Sequence, residues 1–130
     1  MKFAFFASIA VGIIISVLVI TGLGNDTTSA PSSDTPLPQI INGVQMIDIT
    51  ARGGYKPKQT IAKANIPSVI RMKTQSTFDC SSSLIIPSIG YSASLPATGV
   101  TEIPIPSQKS GSTLRGMCGM GMYSFSIIFS

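Results

Sequence analysis

By hydrophobic pattern the chain divides into three parts. From Phe3 to about Leu23 apolar residues run almost unbroken, interrupted by little besides Ser8, Ser16 and small residues. About 20 such residues at 1.5 Å rise cross a hydrocarbon core of about 30 Å. The run exceeds the roughly 7–15 residues of a secretory h-region, and Gly22-Leu23-Gly24-Asn25 is a poor match to a small-residue cleavage site. Residues 1–24 are therefore expected to be an N-terminal transmembrane helix that stays on the mature chain, with a cleaved signal peptide as the alternative. Lys2 on the inner side then puts the rest outside the cytoplasm, in a single-pass membrane protein or, after cleavage, a secreted one. No cysteine follows the run, so a lipoprotein anchor has no acceptor. Residues 25–40, rich in Ser, Thr and Pro, bury too little to offset their ordering entropy and read as a flexible linker.

From Ile41 the period becomes that of strands. Ile47, Ile49 and Ala51 alternate with Asp48 and Thr50, and Arg52-Gly53-Gly54 follows as turn material. Gln59–Ala64 is a further extended segment, closed by the turn at Asn65-Ile66-Pro67. Val69–Lys73 sets Ile70 and Met72 on one face and Arg71 and Lys73 on the other. Leu84-Ile85-Ile86-Pro87 is short, apolar and β-rich. In Val100–Pro106, Ile103 and Ile105 alternate with Glu102 and Pro104, and the prolines suggest an edge strand. Leu114–Cys118 comes next, and Tyr123, Phe125, Ile127 and Phe129 alternate with Ser124 and Ser126 in the clearest strand of all. About seven short strands joined by turn signals predict an all-β domain over residues 41–130, an antiparallel β-sandwich.

Composition narrows what such a domain does. The chain of 130 residues carries a net charge of +4, and its charged fraction is only 11%. Beyond residue 40, eight Lys/Arg face three acids, Asp48, Asp79 and Glu102. The basic residues are scattered singly without interleaved aromatics, which argues against nucleic-acid binding. There is no histidine. That removes histidine acid/base chemistry, a Ser-His-Asp triad and any His-ligated zinc or blue-copper site. With three acids far apart in sequence no acid/base pair is recognisable, and the chain is not expected to be an enzyme.

What remains is sulfur. Gly116-Met117-Cys118-Gly119-Met120-Gly121-Met122 packs one thiol and three thioethers into a glycine-spaced run. Glycine permits turns that other residues resist, so Cys118, Met120 and Met122 can converge. Thiolate and thioether are soft donors suited to Cu(I). The only other cysteine, Cys80, is the natural partner. Two cysteines in an exported domain also read as a disulfide closing a long loop, and both readings stand on the residues alone. Methionines at alternating positions also serve as core filler, the reading for Met117, which is out of phase with Cys118. Asp79 reads as a solvated loop acid, with a supporting role beside Cys80 as the alternative, Arg115 as an exposed strand residue and Tyr123 as core.

The order Gly54-Tyr55-Lys56-Pro57, then Cys80 before Leu84-Ile85-Ile86-Pro87, then Leu114 through Met122 resembles a cupredoxin. It is most similar to the EfeO-type cupredoxin-like domains found in bacterial exported proteins and fused to heavy-metal transporters. The resemblance covers about residues 41–130 and implies a Greek-key β-sandwich with copper held where Cys80 and Cys118 lie. Met122 stands where cupredoxins place their thioether, with Met120 as alternate or fourth ligand. Blue-copper members have a histidine at the position of Cys80 and a Cys–His–Met loop at Cys118–Met122; this chain departs at both histidines.

The expectation is an extracytoplasmic copper-binding domain taking Cu(I) through Cys80, Cys118, Met122 and Met120 for copper handling. A metal transporter or redox partner is the implied protein partner, and the membrane is reached through the N-terminal helix. Copper-based electron transfer is the first alternative. A disulfide-stapled interaction module without metal is the second.

Overall fold

A computed structural model describes residues 37–130. The expected helix over residues 1–24 and most of the linker lie outside these residues. Among the described residues there are ten strands: β1 (Gln39–Ile41), β2 (Val44–Ala51), β3 (Tyr55–Lys56), β4 (Gln59–Ala62), β5 (Ser68–Thr74), β6 (Ser83–Ile86), β7 (Tyr91–Ser94), β8 (Gly99–Ile105), β9 (Thr113–Cys118) and β10 (Ser124–Phe129). Two single turns of 3-10 helix, at Cys80–Ser82 and Pro87–Ile89, flank β6.

The strands form two five-stranded sheets. One has the order β1-β2-β5-β8 with β3 added against β2; the other runs β4-β10-β9-β6-β7. Alternation decides which side of each strand faces inward. In β2, Ile47, Ile49 and Ala51 are buried; in β5, Ile70 and Met72; in β10, Phe125, Ile127 and Phe129. These residues join Leu84, Ile86, Ile103, Ile105 and Leu114 in one core drawn from both sheets, which is what makes the domain a sandwich. β8 lies at a sheet edge, as its prolines demand: Pro104 has no N–H to give a further strand.

Two features differ from the sequence reading. The sheets are mixed rather than antiparallel, since β2 pairs parallel with β5 and β4 pairs parallel with β10. Pairing direction depends on where the chain crosses between sheets, which strand alternation does not encode. Three strands, β1, β3 and β7, add to the expected seven. β1 carried a legible signal, for it joins β2 through Asn42-Gly43, both at positive φ (51° and 77°), the hairpin dipeptide of a tight turn.

The sandwich has two distinct ends. β2 runs from Val44 to Ala51, about 23 Å at ~3.3 Å per residue. At its Ala51 end stand Tyr55, Thr77 and the loops carrying both cysteines: Thr77 Oγ1 donates to the Ala51 carbonyl at 2.6 Å. At its Val44 end stand Pro67 and Lys63, which Gln45 binds through its backbone and side chain.

Candidate metal centre

Cys118 is the last residue of β9 and is buried with the core, because its phase in the strand matches that of Leu114. The chain then reverses over five residues before β10 begins. Gly121 makes that possible at φ +72°, its amide donating to the Cys118 carbonyl at 2.8 Å, while the Cys118 amide donates to the Tyr123 carbonyl at 3.0 Å. Gly119 is needed for a different reason. A Cβ there would lie 2.7 Å from Ser83 Oγ, where the Gly119 amide reaches the Ser83 carbonyl.

The effect of this tight reversal is to aim backbone N–H groups at one sulfur. The Tyr123 amide donates to Cys118 Sγ at 3.4 Å, and the amides of Met120 and Met122 lie near enough to favour its thiolate. Burial alone would push the Cys118 thiol up. The hydrogen bonds from the Cys80 thiol and the Tyr123 amide, with the nearby Met120 and Met122 amides, outweigh it and hold the thiol below its ordinary value.

Cys80 reaches the same point from the other loop. It opens the 3-10 turn Cys80–Ser82, capped by Asp79, whose Oδ1 accepts from the Ser81 amide at 2.8 Å. Asp79 Oδ2 accepts from the Gly53 amide at 2.8 Å, so one carboxylate fastens the cysteine turn to the loop between β2 and β3. Asp79 is thus more than a solvated acid. Its hydrogen bonds from Ser81, side chain first and then backbone, and from Gly53 hold it below the usual carboxylate value. The Cys80 thiol donates to Cys118, which pushes Cys80 up as Cys118 goes down. Neither cysteine is in a disulfide.

Tyr55 forms the floor. It is buried edge-on to Phe125, with ring centroids 5.2 Å apart, and its hydroxyl donates to the Ser83 carbonyl at 3.4 Å. Burial, and then the nearness of Cys118, Cys80 and Asp79, push its hydroxyl far up, so it stays neutral beneath the thiols. The sequence reading had placed Tyr55 only within a family pattern. Nothing local marks it, because its burial comes from β10.

The structure therefore brings Cys80 and Cys118 together and places Met120 and Met122 on the loop that wraps Cys118. Their side chains stand out at 80% and 65% exposure. Met117 does not join the core as expected; facing opposite to Cys118, it is half-buried outside the main cluster. Tyr123 is half-buried against the core, and Arg115 is exposed, with its guanidinium 3.4 Å from Ser124 Oγ. Among the described residues no group of three or more His, Cys, Asp or Glu is gathered, so a hard-donor site is not built there. Two thiols and two exposed thioethers form a soft donor set.

No family model and no curated relative matches the chain. Solved structures do. One is the metal-binding domain of the Cu(I)-exporting P-type ATPase CopA of Streptococcus pneumoniae, solved with Cu(I). It is 24% identical over 72% of this chain and 92% of that one, with a TM-score of 0.64. Another is a copper binding protein solved in solution by NMR in its apo form. It is 26% identical over 72% of this chain and 94% of that one, again with a TM-score of 0.64. These likenesses extend over nearly the whole of both domains.

Proposed function

We propose that this chain is a membrane-tethered, extracytoplasmic cupredoxin-like domain that binds Cu(I) and hands it on or buffers it. The observation that carries the reading is the pair of unbridged thiols, Cys80 and Cys118, facing each other at one end of the sandwich beside two exposed thioethers. The names of the two structural relatives, both copper proteins, support it. Cys80 and Cys118 are the thiolate ligands, Met122 the thioether, and Met120 its alternate or a fourth donor. The thiols bind Cu(I) as thiolates, so binding releases protons. With no imidazole in the chain, the ligands favour the reduced ion, and handling is better supported than electron transfer. Residues 1–24 hold the domain at the membrane on its extracytoplasmic side.

The test is a competition titration of the reduced chain against a Cu(I) chelator. The parent takes up Cu(I) tightly and the Cys80→Ser/Cys118→Ser double variant loses that affinity. Undiminished binding by the double variant would move the site elsewhere. A thiol count of zero on protein isolated without reductant and without metal would favour the stapled module instead.

A further inference from the structure

Among the described residues, the large exposed apolar side chains fall into two groups, with Val100 alone on β8. Phe78, Met120 and Met122 surround the cysteines. Leu37, Ile40, Ile41 and Ile61 lie away from them, on the flank built by β1 and β4. Both are edge strands, one from each sheet, and on this flank a hollow of about 270 Å³ opens between them. Leu37, Ile40, Ile61, Lys63 and Ser130 are among the residues lining it. Leu37 is 82% exposed and Ile61 58%. Large apolar side chains left in water cost free energy that burial would recover, and grouped exposure of this kind marks a contact surface.

The proposal rests on the membrane-tethered reading given above. We infer that this flank lies against the lipid surface, with Leu37, Ile40 and Ile61 in the headgroup–acyl boundary and Lys63 at the anionic headgroups. The chain itself argues for that occupant. The apolar run ends near Leu23, and some 13 residues separate it from the described domain, which starts at Leu37 on this flank. Thirteen residues reach at most about 45 Å even when fully extended. It is on this flank that the chain enters the described domain. Exposed apolar side chains with an adjacent cation are what interfacial binding to anionic lipid requires. Gln45 lines the hollow while Ala51 stands at the cysteine end, about 20 Å further along β2 at ~3.3 Å per residue. Docked in this way, the domain keeps Cys80, Cys118 and the exposed methionines clear of lipid.

The chain contains no tryptophan, so a single introduced one reports alone. The full chain is reconstituted into phosphatidylglycerol/phosphatidylcholine vesicles carrying brominated acyl chains, with Ile61→Trp, Leu37→Trp or Phe78→Trp as the probe. Ile61→Trp and Leu37→Trp should be blue-shifted and lose most of their emission to the bromolipid. Phe78→Trp, 84% exposed as Phe in the parent and beside Cys80, should keep a water-like spectrum. Replacing Ile40 and Lys63 by serine should return Ile61→Trp toward the water-like spectrum. If the chain floats with the vesicles while Ile61→Trp and Leu37→Trp stay unquenched, docking is overturned and anchoring survives. Quenching of Phe78→Trp equal to theirs overturns the orientation. A blue shift that depends on protein concentration without bromolipid quenching assigns the flank to a second copy, and a chain that does not float overturns anchor and docking together.

Discussion

The Gly53 amide donates to Oδ2 of Asp79, 2.8 Å away and 26 residues further along the chain. With its other oxygen Asp79 accepts from Ser81, so the residue before Cys80 is held from two sides. Asp79→Ala should let the Cys80 turn drift and weaken Cu(I) binding by about 10–100-fold, the usual scale for groups that orient a ligand. Asp79→Asn keeps a side-chain acceptor and should fall between parent and alanine. Chelator competition measures the affinity. An Asp79→Ala domain that binds like the parent would show that the turn holds itself.

The cysteines and methionines should rank by charge and burial. Loss of a thiolate removes a soft donor and a compensating negative charge, so Cys80→Ser and Cys118→Ser should each be severe. Met122→Leu should cost less, and Met120→Leu less again, because neutral exposed thioethers can substitute for one another. Met117→Leu, half-buried on the opposite face of β9, should be nearly silent. The same competition titration across the series checks the order, and a Met117→Leu effect as large as that of Met122→Leu would contradict it.

Phe125 and Gly116 are cross-strand partners on β10 and β9, and the phenyl ring occupies the space where a Cβ at 116 would go. Gly116→Ala should destabilise the fold by about 1–3 kcal/mol through overpacking. Phe125→Ala removes the ring and the Tyr55 edge contact, and should cost about 3–5 kcal/mol. Because removing the ring frees the space that a Cβ at 116 needs, the double variant should cost less than the two single changes together. Denaturant unfolding followed by circular dichroism measures all three.

Asp48 sits between Arg71 Nε at 2.5 Å and Lys73 Nζ at 2.6 Å on the outer face of β2 and β5. Burial acts to raise its carboxyl, but the hydrogen bonds from Lys73 and Arg71 outweigh it and hold it below the ordinary 3.8. A depressed carboxylate contributes stability that is complete above the unfolded value and lost as pH falls through the folded one. The parent should therefore lose melting temperature below about pH 4 more steeply than Asp48→Asn. At neutral pH the difference should be small, about 0.2–1 kcal/mol, because the pairs are still partly open to solvent. Melts at several pH values decide it.

The anchor is checked by the mass of the mature N-terminus. Retention of residues 1–24 is expected, because the apolar run is long and lacks a good cleavage site. A mature chain starting between Asn25 and Ser32 would make the protein a secreted one.

By itself the sequence determined the inward face of each main strand. Ile47 and Ile49, Ile70 and Met72, and Phe125, Ile127 and Phe129 are buried as their alternation requires, because the two-residue period of a strand is local. It also determined the donor chemistry of the candidate site, since a chain with two cysteines and no histidine has only sulfur to offer a soft metal. The tertiary structure decided what depends on distant pairing. The parallel partnerships of β2 with β5 and β4 with β10, the burial of Tyr55 beneath the thiols and the fastening of Asp79 to Gly53 join residues with no mark in their own neighbourhoods. The approach of Cys80 to Cys118 is of the same kind. Spacing leaves 37 residues between them, and only the crossing of β6 against β9, Leu84 opposite Cys118, brings the two sulfurs within reach of one ion.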